Sequence, residues 1–165
     1  MTKQPTRQAL GELLVERGLL TEEDIAESLV QQRAGGEFLG KVLVRRGLVQ
    51  PGILLEVFAE QFGLPHESLR LDRVDWRVAK QFPASVLAGN RCFPIRADAQ
   101  TVTVAISNPL DVGAISAIEK VTGLRDVQPV LVLERELEAV CRAYQKQTLR
   151  SLGDRLTHHG NSQTE

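Results

Sequence analysis

Two stretches of this sequence carry residues arranged to meet a ligand or a closely packed neighbour: LGELLVERGLL at residues 10–20 and LGKVLVRRGLV at residues 39–49. They start 29 residues apart, and leucine, glycine, a leucine-valine pair, arginine-glycine and leucine recur at matching offsets. Gly11 and Gly40 fall in the first turn of a helical pattern, where glycine costs about 1 kcal/mol relative to alanine. A glycine in both copies points to close backbone approach, by a neighbouring helix or by a flat ligand. Helix N-termini add unpaired N–H groups suited to phosphate oxygens. Gly18 and Gly47 are placed to end the helices with positive φ, which glycine adopts freely. The motif therefore supplies recognition chemistry, and both packing and ligand binding fit it.

Reactive chemistry is not visible. Gly40-Lys41 is followed by Val42, so no phosphate loop of the Gly-x-x-x-x-Gly-Lys-Ser/Thr type forms, and neither a Gly-x-Ser-x-Gly elbow nor a His-Glu-x-x-His helix occurs. His66 has no evident partner, and His158 and His159 belong to a polar tail. Glu22, Glu23 and Asp24 look like the acidic first turn of a helix rather than a catalytic pair. Cys92 and Cys141 are too few and too far apart for a disulfide framework or a zinc site. We expect no catalytic residue, no metal and no required cofactor.

The elements that must position the motif are helices. Leu10, Leu13, Leu14, Leu19, Ile25 and Leu29 follow helical spacing around Gly18, and Thr21 with Asp24 forms a capping-box sequence. This predicts helices near 7–17 and 22–33, repeated near 38–46 and 51–62, with Pro51 in a first turn and residues 33–36 as the hinge between copies. Residues 64–91 read as connecting structure with short helical turns. Residues 91–96 and 101–106 read as a hairpin around Ala97-Asp-Ala-Gln100, 112–122 as a helix ended by Gly123, 127–133 as a strand and 134–147 as a helix. The fold class expected is α+β: a helical subdomain of two tandem helix-turn-helix repeats (6–63), a small β-β-α-β-α subdomain (64–147), and a partly disordered tail (148–165).

The 165-residue chain is 42% hydrophobic and 25% charged, with one Trp, one Tyr and five Phe, so its core must be aliphatic. A formal charge of −1 gives no global attraction for DNA, RNA or anionic membrane. The N-terminus lacks the apolar run and cleavage site of a signal peptide, and no apolar run approaches a membrane span. These features predict a soluble, cytoplasmic protein with no direct membrane insertion.

The tandem Leu-Gly-x-x-Leu-Val-x-x-Gly-x-Leu (Val49 in the last place of the second copy), with Gln32 and Gln61 following, resembles the N-terminal domain of type II secretion and type IV pilus assembly ATPases, the MshEN-like or general secretory pathway protein E type. Phe82-Pro83, Phe93-Pro94-Ile95, Val102 to Ile106, Asn108-Pro109-x-Asp111, Thr122-Gly123 and Pro129-Val-Leu131, with a closing helix to Tyr144, resemble its second half. The resemblance runs from Leu10 to Gln147. It implies a non-catalytic regulatory and docking domain that binds a secretion or pilus platform protein, or a cognate motor ATPase. The alternative it implies is a cyclic di-GMP receptor whose contacts are Leu10, Gly11, Leu14, Val15, Gly18 and Gln32 with Leu39, Gly40, Leu43, Val44, Gly47 and Gln61. The sequence stops where the motor would begin, as an excised domain or a stand-alone protein would. One departure favours docking. The ligand-binding form of the motif has Arg before Leu-Gly, and this chain has Ala9 and Phe38 there. Each lost charged hydrogen bond is worth about 1.5–3 kcal/mol. Phe38, Arg45 and Arg46 are the candidate docking residues.

Overall fold

The computed structural model describes residues 10–89, 91–123 and 126–159. Ala9, the rest of the N-terminus and residues 160–165, which include the end of the expected tail, lie outside the described residues. The chain divides between His66 and Glu67 into two compact units. The class is α+β, helices first and then strands with helices.

The first unit contains α1 (Leu10–Glu16), α2 (Glu22–Gly35), α3 (Leu39–Arg45) and α4 (Pro51–Phe62). Each repeat is a short helix, a glycine stop and a longer helix. Gly18 (φ 67°) and Gly47 (φ 72°) make the stops. In the first, Gly18 N–H bonds to Val15 O at 2.9 Å and Leu19 N–H to Leu14 O at 3.0 Å. In the second, Gly47 N–H bonds to Val44 O at 2.9 Å and Leu48 N–H to Leu43 O at 3.0 Å. This double bond pattern around a left-handed residue is the Schellman cap, which satisfies carbonyls that the helix end would otherwise strand. The apolar positions Leu14, Val42 and Leu43 have no exposed surface, and Leu20, Val49, Leu54, Val57 and Phe58 complete an almost entirely aliphatic core.

The second unit opens with a 3-10 turn (Leu71–Arg73), α5 (Trp76–Ala79) and α6 (Ala84–Gly89), followed by β1 (Cys92–Ala97), β2 (Thr101–Ile106), α7 (Val112–Thr122), β3 (Asp126–Leu131) and α8 (Glu134–His159). The sheet order is β1-β2-β3, with β1 antiparallel and β3 parallel to β2, so α7 is the crossover that a parallel pair requires. Asp98 builds the hairpin turn: its carboxylate accepts from Gln100 N–H at 2.8 Å and Thr101 N–H at 2.7 Å. Both outer strands carry a proline, Pro94 in β1 beside a register shift and Pro129 in β3. A proline removes a ladder donor, and such residues blunt exposed sheet edges against further pairing.

One boundary differs substantially from expectation. The closing helix runs to His159 and does not stop at Gln147. Residues 148–156 read TLRSLGDRL, and their leucines and arginines are good helix formers that extend the helix past a polar surface. A polar stretch is not by itself a helix stop. β3 ends at Leu131, two residues before its expected end, with Val132 N–H still bonded to Ile106 O at 2.9 Å.

The cysteines behave as core thiols. Cys92 has no exposed surface, and burial, with smaller effects from Cys141 and Asp111, pushes its pKa up to about 12. Burial also raises Cys141. Because the thiolate is the reactive form, Cys92 in the folded protein at pH 8 is expected to resist iodoacetamide for as long as denatured protein takes to label fully. Mass spectrometry showing two adducts at once would contradict this.

Candidate functional site

The two motif glycines are interior. An added Cβ on Gly11 would lie 2.9 Å from Cγ2 of Ile25, and one on Gly40 would lie 2.9 Å from Cδ2 of Leu54. Ile25 and Leu54 occupy the same place in the two repeats. The short helix of each copy is thus pressed against the long helix that follows it, and glycine is the residue that lets them close. Gly40 is also approached from the other copy, since its added Cβ would lie 3.7 Å from Cδ2 of Leu10.

The other candidates separate by depth. Leu14 and Leu43 are fully buried. Leu10, Val15, Gln32, Leu39, Val44 and Gln61 are half-buried, while Gly18 and Gly47 are exposed in the caps. Phe38 is 45% exposed and sits at the N-cap of α3, where its side chain makes no capping bond. A ligand approaching the motif would therefore meet Leu10, Val15, Leu39 and Val44, with the glycines and leucines behind them.

The arginines around the motif are engaged. Arg17 of the first copy pairs with Glu60 of the second at 2.7 Å. Reciprocally, Arg46 of the second copy pairs with Glu27 of the first and donates to Ser28 Oγ at 2.6 Å and to Asp24 O at 3.1 Å. Arg45 pairs with Glu37. Each repeat thus grips the long helix of the other. Ser28, fully buried, also donates its hydroxyl to Asp24 O at 2.7 Å.

Sequence inspection missed Ser28 and Arg17 as parts of this arrangement. The repeat held the signal: Ser28 aligns with Val57, which is 1% exposed, so an interior polar residue was to be expected at 28. The capping box is present as expected. Thr21 Oγ1 accepts from Asp24 N–H at 3.1 Å, and Asp24 Oδ2 accepts from Thr21 N–H at 3.0 Å. These bonds from the Thr21 backbone and hydroxyl, and then the Arg46 charge, lower the Asp24 pKa below the ordinary 3.8. A folded pKa below the unfolded one means the cap is fully stabilising at neutral pH and is lost as pH falls through the lowered value. An NMR titration of Asp24 should give a midpoint below 3.8, and one at or above it would contradict the cap.

Among the described residues no group of His, Cys, Asp and Glu is arranged to hold a metal, and no helix is long and apolar enough to cross a membrane.

Comparison with known proteins assigns the family. The model of the MshEN domain matches residues 62–151, more than half of the chain. The chain belongs to the MshEN domain family. The matched segment covers most of this chain's α+β unit, and the tandem copies precede it. The type IV pilus assembly ATPase PilB of Thermus thermophilus is 32% identical over 117 residues, 70% of this chain and 13% of that protein. PilB of Myxococcus xanthus is 26% identical over 136 residues, 82% of this chain and 24% of that protein. This MshEN domain therefore spans a quarter or less of these relatives. Bacteriophage adsorption protein B of Escherichia coli is 27% identical over 128 residues, 78% of this chain and 17% of that protein. Among solved structures, MshE with cyclic di-GMP superposes with a TM-score of 0.75 at 28% identity, covering 84% of this chain and 99% of that one. The N-terminal domain of XpsE superposes with a TM-score of 0.63 at 23% identity over 83% and 97%, and shows the shared fold.

Proposed function

We propose that this MshEN domain is a non-catalytic docking and regulatory module of a secretion or pilus machine, engaging a platform protein or motor ATPase on the cytoplasmic side. The observation that carries the reading is Phe38, an exposed aromatic at the start of α3 in the place where the resembling ligand-binding motif has arginine. The nearby Arg17, Arg45 and Arg46 are paired with carboxylates, and none of them stands at the motif position before Leu-Gly. Large exposed aromatics of this kind are the usual anchors of protein interfaces. Phe38→Ala is expected to weaken binding to the cytoplasmic domain of the cognate platform protein about tenfold or more, as interface anchors do. Unchanged affinity in a surface-plasmon measurement would count against the docking role. The purified chain is expected to hydrolyse neither ATP nor GTP, and turnover that persists through purification would contradict the non-catalytic reading.

A second reading has its own support. The similarity to MshE with cyclic di-GMP favours a cyclic di-GMP receptor that uses the half-buried Leu10, Val15, Leu39 and Val44 against the bases, with the half-buried Gln32 and Gln61 as its polar contacts. On this reading Gly11, Gly40, Leu14 and Leu43 shape the helices and do not touch the ligand.

A further inference from the structure

Within the second unit, residues 67–70, Arg73 and the β1 residues Ile95 and Arg96 line a cleft of about 260 Å³. Its charged lining is three arginines, Arg70, Arg73 and Arg96, against one carboxylate, Glu67. Two of the guanidiniums are held in place. Arg96 meets Glu67 through two bonds of 2.9 and 3.0 Å, and Arg70 meets Asp72 through two of 3.0 Å. A guanidinium has five N–H donors, so each keeps donors beyond those in its fork. Arg73 forms no ion pair among the described residues. The wall itself is fastened to α8, because Glu136 accepts from Ser68 Oγ and from Leu69 N–H, both at 2.9 Å.

We infer that this cleft binds a small phosphate-bearing ligand, a diphosphate group in size, at a place separate from the tandem motif. Fork-shaped, always-charged guanidiniums suit phosphate oxygens better than a point charge does. Holding Arg70 and Arg96 in their carboxylate forks settles part of the ordering that a ligand would otherwise impose. Exposed pairs of this kind contribute little by themselves, so their partners can share or exchange donors with an incoming anion. The volume lies just below the roughly 300–1,000 Å³ of pockets that enclose drug-sized ligands, which fits a diphosphate and leaves no room for a dinucleotide. The phosphate could be free or the end of a nucleotide.

Calorimetric titration of the full chain with inorganic diphosphate, ADP and a tri-glutamate peptide separates the sources. Saturable binding of diphosphate is expected, weakened about tenfold or more by Arg73→Ala and by Arg96→Ala and unchanged by Arg142→Ala on α8. Among the described residues Arg73 has no ion pair to lose, so its replacement is expected to leave the fold intact, which circular dichroism checks. ADP binding more tightly than diphosphate assigns the site to a nucleotide, and equal or weaker binding assigns it to the free anion. Lack of saturation by both phosphate ligands, indifference to Arg73→Ala, or tighter binding of tri-glutamate would overturn the inference. None of these outcomes depends on Phe38 or on the docking reading.

Discussion

Phe93→Ala is expected to cost the α+β unit about 3–5 kcal/mol, the range for deleting a buried phenyl ring. Phe93 has no exposed surface. It stands edge-on between Trp76, 6.0 Å away at 74°, and Tyr144, 5.6 Å away at 72°, so its loss empties space between three elements, β1, α5 and α8. Edge-to-face pairs add about 0.5–1.5 kcal/mol beyond the area they bury, and here there are two. Whole-domain stabilities are only about 5–15 kcal/mol, so the variant would be marginal at room temperature. Trp76 is the single tryptophan of the chain and touches the site, which makes its fluorescence in a urea titration the direct readout. Phe93→Leu, which keeps most of the volume, should cost less. A shift below about 1 kcal/mol for the alanine variant would place it among ordinary surface substitutions and contradict the central role of this ring.

Why the helical repeats were readable in the sequence, and the arrangement between them was not, follows from particular residues. Gly18, Gly47 and Pro51 punctuate the chain by local backbone preference, which depends on no distant partner. The hairpin at Asp98 and the existence of the third strand followed from β-branched runs and turn chemistry in the same way, whereas its parallel pairing with β2 came from the structure. Gly11 and Gly40 announced a close approach, but identifying Ile25 and Leu54 as the groups that approach required the packed helices. The reciprocal pairing of Arg17 with Glu60 and Arg46 with Glu27 joins residues far apart in the chain, and no local pattern encodes it. The same holds for the depth of the candidate contacts: Leu14 and Val15 are neighbours in sequence, yet one is fully buried and the other half-exposed. The helix expected over 134–147 continues through a polar stretch and Gly153 to His159, because an isolated glycine or a polar run lowers helix propensity without ending a helix.

Restoring the anchors should create a ligand site. Ala9→Arg with Phe38→Arg is expected to tighten cyclic di-GMP binding about tenfold or more, since each charged hydrogen bond contributes roughly 1.5–3 kcal/mol and 1.4 kcal/mol is a factor of ten. Phe38 is exposed at the N-cap of α3, so an arginine there has room to turn toward a phosphate or stack on a base. Arg17, Arg45 and Arg46 stay with their carboxylates and need not move. On the proposed docking reading, Phe38 stands where the resembling ligand-binding motif carries a charged nucleotide anchor. Side-by-side calorimetry of the wild-type chain and the double variant with cyclic di-GMP tests it most directly. Weak or undetectable binding by the wild type at micromolar ligand and a clear gain in the variant are expected. Tight wild-type binding, or no gain from the two arginines, would contradict it.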